Sequence, residues 1–301
     1  MATLYSTADS NVLKTWILMS AFFVLIILLG WAFSWIFNDV SIVIVAVVVS
    51  IVMNVTSFWF SDKITLALSG AKPLSKEDHK ELWNITENLC ISSGIKMPRL
   101  YIIRDEAPNA FATGRDEAHA AVAVTSGLLA RLERSELEGV VAHELAHIKN
   151  RDILLMTVVV VLVGFITLLS DFLLRMTIYG DNDRKGDGRV QLIMVVLGIV
   201  LAILSPVIAT IIQLAVSRKR EFLADASGAL MTRYPEGLAG ALEKISSFSG
   251  DLRRANHATA HLYIASPFNS KKSRRGFMTR LFMTHPPVEE RIKKLREESG
   301  F

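Results

Sequence analysis

The chain has 301 residues, 51% of them hydrophobic, with 17 glycines, a net charge of +4 and a mean hydropathy of +0.38. Soluble domains carry less apolar residue, so this composition excludes a disordered chain, a collagen-like repeat and an ordinary soluble enzyme, and points to an integral membrane protein. A single cysteine, Cys90, excludes an intramolecular disulfide and a cysteine-rich metal site. In a membrane chain the positive balance marks Lys and Arg gathered on the cytoplasmic side, and no nucleic-acid partner is expected.

Residues 16–37 and 40–60 are free of charge, and each is long enough to cross a bilayer, which takes about 20 apolar residues as helix. Only Asn38 and Asp39 join them, so 16–60 reads as a tight transmembrane hairpin. The first stretch is too long for a signal core, has no A-x-A-like site after it and runs straight into the second, which makes it a retained anchor. Stretches 153–170 and 190–216 flank a polar segment and predict a second hairpin over 153–216, giving four transmembrane helices in all. Lys63, Lys72, Lys76 and Lys80 follow the second stretch, Lys149 and Arg151 precede the third, and Arg218, Lys219 and Arg220 follow the fourth. These flanks, and both termini with them, are expected on the cytoplasmic face of a multi-pass cell-membrane protein.

The remaining stretches, 61–152 and 217–301, are too long for loops and together predict one cytoplasmic domain interrupted by the second hairpin. Ser75 with Glu77 and Asp78 predicts a helix start, and Gly94 and Pro98 a stop after Ser93. Strands are expected at 100–104, 109–113 and 120–125, punctuated by Pro108 and Gly114, as a small antiparallel sheet. The fold class is therefore α+β, mostly α.

Residues 136–149, ELEGVVAHELAHIK, follow Ser135, which forms a capping-box pattern with Glu138, and read as a helix. His143 and His147 lie one turn apart on one face, where both ring nitrogens reach a single Zn²⁺ at about 2.0–2.1 Å. Glu144 between them is placed to take a proton from the attacking water. The third ligand is expected to be Glu221, with Asp225 one turn further on to hold a ligating histidine through its other ring nitrogen. His147 and Glu221 are separated by 73 residues, but the ends of an antiparallel hairpin lie about 8–10 Å apart. Both residues sit about 8–9 Å of helix from the membrane stretches, so the site is expected just above the bilayer surface, within reach of membrane-protein substrates.

The strings VVAHELAHIKNRD, SRKREFLADASGA, PNAFATG and MTHPPVEERIKKL, in that chemistry, resemble the HtpX-type membrane zinc metalloproteases, relatives of the CAAX prenyl endopeptidases. The resemblance implies a gluzincin-like domain with one zinc per chain on His143, His147 and Glu221, Glu144 as general base and acid, and Asp225 behind the ligands. It also implies cleavage of misfolded or damaged membrane proteins in stress-linked quality control. Asn109, Ala110, Phe111 and Ala112 then fit a strand bordering the cleft, where a substrate backbone adds as a further strand. His285 fits a donor to the oxyanion, and Arg218 and Arg220 a substrate or ligand-orienting contact.

Two other readings stand beside this one: a processing protease for one defined substrate such as a prenylated C-terminus, and a non-catalytic membrane adaptor that uses zinc only to fold. The intact Glu144 and a metal with only three protein ligands speak against the adaptor, because structural zinc sites have four. His257 and His261 are four apart with no Glu between them and read as ordinary histidines, and Cys90 as a small core residue. The basic run 271–280 reads as a solvated loop or a contact for anionic headgroups.

Overall fold

The computed structural model describes residues 4–179, 218–254, 258–268 and 286–298. Helices α1 (Leu4–Phe37) and α2 (Ser41–Trp59) pack side by side, joined by a turn in which Asn38 takes the left-handed conformation at φ 51°. Over much of their length they expose Trp, Val, Ile and Leu, as helices bathed in lipid do. A mixed α and β domain follows: α3 (Ser61–Ser69), β1 (Lys72–Pro73), α4 (Lys80–Ser93), β2 (Arg99–Ile103), β3 (Ala110–Thr113), β4 (Ala121–Thr125), α5 (Ser126–Arg131) and α6 (Arg134–Lys149). After α7 (Asp152–Tyr179), the described chain resumes with α8 (Arg218–Thr232), α9 (Pro235–Ser247) and α10 (Val288–Glu298).

The four-span expectation is corrected. Among the described residues, two helices, Ser10–Trp35 and Ser41–Trp59, are long and apolar enough to cross a membrane. The number rises to three only if α6 and the first part of α7, bent by 85° at their junction, are taken as one broken span. The expected third span opens α7, where Ile153, Leu155, Val158, Val160, Leu162 and Ile166 are all at most 1% exposed against α1, α3, β3 and their neighbours. A helix apolar on every side needs burial, and here protein supplies what lipid was expected to supply. The expected fourth span, 190–216, lies outside the described residues.

The sheet is mixed rather than antiparallel. Its order is β1-β2-β4-β3, with β4 running parallel to β2 (Leu100 opposite Val122) and antiparallel to β3 (Phe111 opposite Ala123). Every residue of β4 is buried, as befits an inner strand covered on both faces. That leaves β3 at the edge, facing α6 and α7, where Thr113 Oγ1 meets Thr157 Oγ1 at 3.0 Å.

Two helix starts differ from expectation for a common reason: a nearby side chain competes for the cap. The Ser75 amide and hydroxyl close a turn of their own on Asp78 Oδ2 at 2.8 and 2.7 Å, so α4 begins at Lys80 behind His79, whose Nδ1 accepts from the Leu82 amide. At α6 the reciprocal cap is Glu133 with Glu136, not Ser135 with Glu138. Helix α9 crosses α6 so closely that a Cβ on Gly139 would lie 2.6 Å from the Leu238 amide nitrogen.

Candidate metal centre

Helix α6 is buried almost throughout, which places His143, Glu144 and His147 in the protein interior rather than on a solvated face. Helix α8 runs against the same face at backbone contact. A Cβ on Gly228 would stand 3.0 Å from the His143 nitrogen, so glycine there lets the two helices close. This approach brings Glu221 to α6: ligand atoms of His143, His147 and Glu221 all lie within 4.8 Å of one another. The two Nε2 atoms are 3.2 Å apart, and Glu221 Oε1 is 3.6 Å from that of His147.

Each imidazole is oriented from behind by a carboxylate. His143 Nδ1 lies 2.9 Å from Asp225 Oδ1, and His147 Nδ1 lies 3.0 Å from Asp152 Oδ2. A carboxylate beside each Nδ1 favours the tautomer protonated there, which turns the two Nε2 lone pairs toward one another beside a carboxylate oxygen. Such a set repels itself unless a cation lies between, so the donors fit a zinc ion with two nitrogen ligands and one oxygen ligand.

The Asp225 carboxylate is held in turn by Arg291, a guanidinium with no exposed surface. Its Nε and Nη2 donate to the two Asp225 oxygens at 2.9 and 2.7 Å, its Nη1 donates to the Ile264 carbonyl at 2.7 Å, and Glu221 Oε2 lies 3.7 Å away. Burial by itself would raise the Asp225 carboxyl, but the Arg291 charge and the hydrogen bonds from His143 and Arg291 bring it down to about 2. Burial pushes the Glu144 carboxyl up to about 7, with the nearby Glu221 charge adding to the rise and the His147 charge and the Ala112 backbone opposing it. Among the described residues, Glu144 Oε1 is buried without a hydrogen-bond partner.

Reasoning from spacing found His143, Glu144, His147, Glu221 and Asp225, and the fold brings these five together. It missed Asp152 and Arg291, although both lie inside the motif strings. Asp152 follows His147 by five residues, off the helical face, and reaches back only because Arg151 takes the left-handed conformation at φ 56° and turns the chain.

The remaining expected site residues are distributed differently. Asn109 is buried, donating through Nδ2 to the Ala265 carbonyl at 3.0 Å, while the Ile264 amide donates to the Ala110 carbonyl at 3.0 Å. The chain around Ile264 thus already lies along the first half of the β3 edge. Phe111 is fully buried, edge-on to Tyr263 with ring centres 5.2 Å apart, and Ala112 alone of the four faces Glu144. Arg218 is exposed, whereas Arg220 is buried with its Nη1 donating to Asn11 Oδ1 at 3.1 Å. His285, His257 and the run 271–280 lie outside the described residues. His261 is a buried structural residue with Nε2 at 3.0 Å from the Met156 carbonyl. Burial, with Glu117 nearby, pushes the Cys90 thiol up to about 11, which suits a core residue rather than a nucleophile.

Comparison with known proteins agrees with this geometry. Residues 76–299 match Peptidase family M48. A protease HtpX homolog from Thermoanaerobacter pseudethanolicus is 45% identical over 300 residues, covering 98% of this chain and 97% of that one. One from Tropheryma whipplei is 50% identical over 240 residues, 80% of each chain, and one from Streptococcus gordonii is 40% identical over 300 residues, 98% of this chain and 99% of that one. With the family match over most of its length and relatives alike from end to end, the chain belongs to peptidase family M48, among the HtpX-type membrane zinc metalloproteases.

Proposed function

We propose that this zinc-dependent endopeptidase works through His143, His147 and Glu221 as the three protein ligands of one zinc ion and Glu144 as the group that moves the proton. The carrying observation is the convergence of the three ligand atoms within 4.8 Å beside a buried Glu144 oxygen that has no hydrogen-bond partner among the described residues. Zinc at such a site acidifies water and polarises the scissile carbonyl. Glu144 takes the proton from the attacking water and delivers it to the leaving amine. Asp225 and Asp152 keep the imidazoles turned toward the ion, and the β3 edge around Ala112, beside Glu144, is where an incoming backbone would lie.

Proximity of the site to the membrane supports membrane proteins as substrates. Asn11, in the first turn of the apolar span Ser10–Trp35, touches Asp152, which touches His147. One carboxylate and one imidazole then separate the start of the span from the site, so a damaged or misfolded segment leaving the bilayer emerges close to it. Lys63, Lys72, Lys76 and Lys80, which follow the second span, support a cytoplasmic position for this face. In this reading the protease domain comprises 61–152 and 217–301, with 16–60 as its anchor and 153–216 inserted in it.

The test is made on the full chain in detergent, stripped with a chelator and given back zinc, with casein and an unfolded membrane-protein reporter as substrates. Wild type is expected to recover cleavage and to hold one zinc per chain, while Glu144→Gln holds zinc and cleaves neither. Turnover at the wild-type rate in Glu144→Gln removes Glu144 from this role, and zinc retained by His143→Ala and His147→Ala overturns the ligand set.

A further inference from the structure

Asn11 stands on α1, 139 and 141 residues from its partners in sequence, yet it is 1% exposed and fully engaged. Its Nδ2 donates to Asp152 Oδ1 at 2.6 Å and to the Asn150 carbonyl at 3.3 Å, and its Oδ1 accepts from Arg220 Nη1 at 3.1 Å. The amide is therefore oriented by both neighbours, nitrogen toward the carboxylate and oxygen toward the guanidinium. Asp152 has no exposed surface and divides its two oxygens: one takes the Asn11 amide, the other takes His147 Nδ1. Arg220 Nε completes the group, 3.8 Å from Asp152 Oδ1, and the next residue on its helix is Glu221. One membrane-helix side chain thus touches both supports of the centre, the carboxylate behind His147 and the arginine preceding Glu221.

We propose that Asn11 is a positioning residue of the metal centre, and that the N-terminal membrane helix is by this contact a working part of the protease rather than an anchor alone. A carboxylate that orients a ligating imidazole does so only while its own rotation is restrained, and the Asn11 amide, with Arg220 beside it, restrains the second oxygen of Asp152. The apolar packing of Leu18, Phe22 and Ile26 against Leu155, Val158 and Leu162 of α7 holds the two helices in register, so the amide and the carboxylate meet at a fixed height. Sliding or tilting α1 against α7 by a few ångströms separates them and frees the His147 ring. The centre then senses how α1 sits in the membrane, a property that an anchor joined by a flexible tether lacks.

This inference rests on His147 being a metal ligand, and the experiment separates the two. In the full chain in detergent, zinc affinity is measured by chelator competition, and the visible spectrum of the cobalt(II)-loaded protein reports ligand geometry. Asn11→Leu removes every hydrogen bond of the amide; Asn11→Asp keeps the size and the acceptor for Arg220 while removing the donor to Asp152, and serves if the first variant does not fold. Each is expected to weaken zinc about 10–100-fold and to shift the cobalt bands, and neither to weaken it further in an Asp152→Asn background. Leu100→Ala, a core substitution on β2 outside the α1–α7 pair, is expected to lower the melting temperature and leave the cobalt bands in place. Wild-type zinc affinity in both Asn11 variants, equal weakening in both backgrounds, or the same spectral shift from Leu100→Ala overturns the proposal. Retention of zinc by His147→Ala instead overturns the ligand reading on which it stands.

Discussion

Arg291 shows how much of the centre depends on a residue that touches no substrate. Its bidentate pair with Asp225 is fully buried, so removing the guanidinium strands a carboxylate directly behind His143. Arg291→Met is expected to cost about 3–5 kcal/mol, measured by chemical unfolding of the metal-free protein. Arg291→Lys retains the charge but cannot make the two parallel bonds, and is expected to keep the fold while weakening zinc. The pairing of Arg291 with Asp225 was not legible beforehand. Asp225 was found because it lies one turn from Glu221, a local relation that helical spacing exposes. Arg291 comes from a helix more than 60 residues further on, and among its neighbours Glu289, Glu290, Lys293 and Lys294 nothing in the string distinguishes a buried charge from a solvated one.

The helices around the centre make the arrangement possible by approaching at backbone distance. Helix α6 is pressed by α8 at Gly228 and by α9 at Gly139, and at the latter an added Cβ meets backbone, not a side chain that can turn aside. Gly139→Ala is therefore expected to force α9 outward and to cost about 1–3 kcal/mol in unfolding measurements, despite the better helix propensity of alanine. That α6 and α8 are helices was readable from their patterns, and so was the turn between the two metal-binding histidines. The starts of α4 and α6 were read one turn out or on the wrong pair, since several Ser, Asp and Glu residues competed for the same amides and only the packed geometry chose between them. The mixed sheet was missed for a similar reason: short apolar runs announce strands, but carry no record of which neighbours they pair with.

At the scale of the molecule, the metal centre is where four separate parts of the chain meet: α6 with the start of α7, α8 after a long excursion, α10 with Arg291, and α1 from the membrane hairpin. A zinc ion bound only by the folded chain ties them together, and stabilises by about 2.7 kcal/mol when free zinc is 100 times its dissociation constant. Chelation of the detergent-solubilised protein is accordingly expected to lower its melting temperature by roughly 5–10 °C in a thermal scan, and zinc to restore it. In His147→Ala the chelator is expected to change nothing.

Chemistry written in short-range pattern was decided by the amino-acid sequence alone. Residues four apart on a helix share a face whatever surrounds them, so His143, Glu144 and His147, then Glu221 and Asp225, announce a zinc-dependent hydrolase, and apolar stretches announce the membrane. The tertiary structure decided which apolar helix faces lipid and which faces protein, because a run such as 153–166 satisfies either environment equally. It also decided how the ligands are held. Asp152, Arg291 and Asn11 act through hydrogen bonds between residues far apart in the chain, and such bonds depend on distances that exist only once the helices have packed.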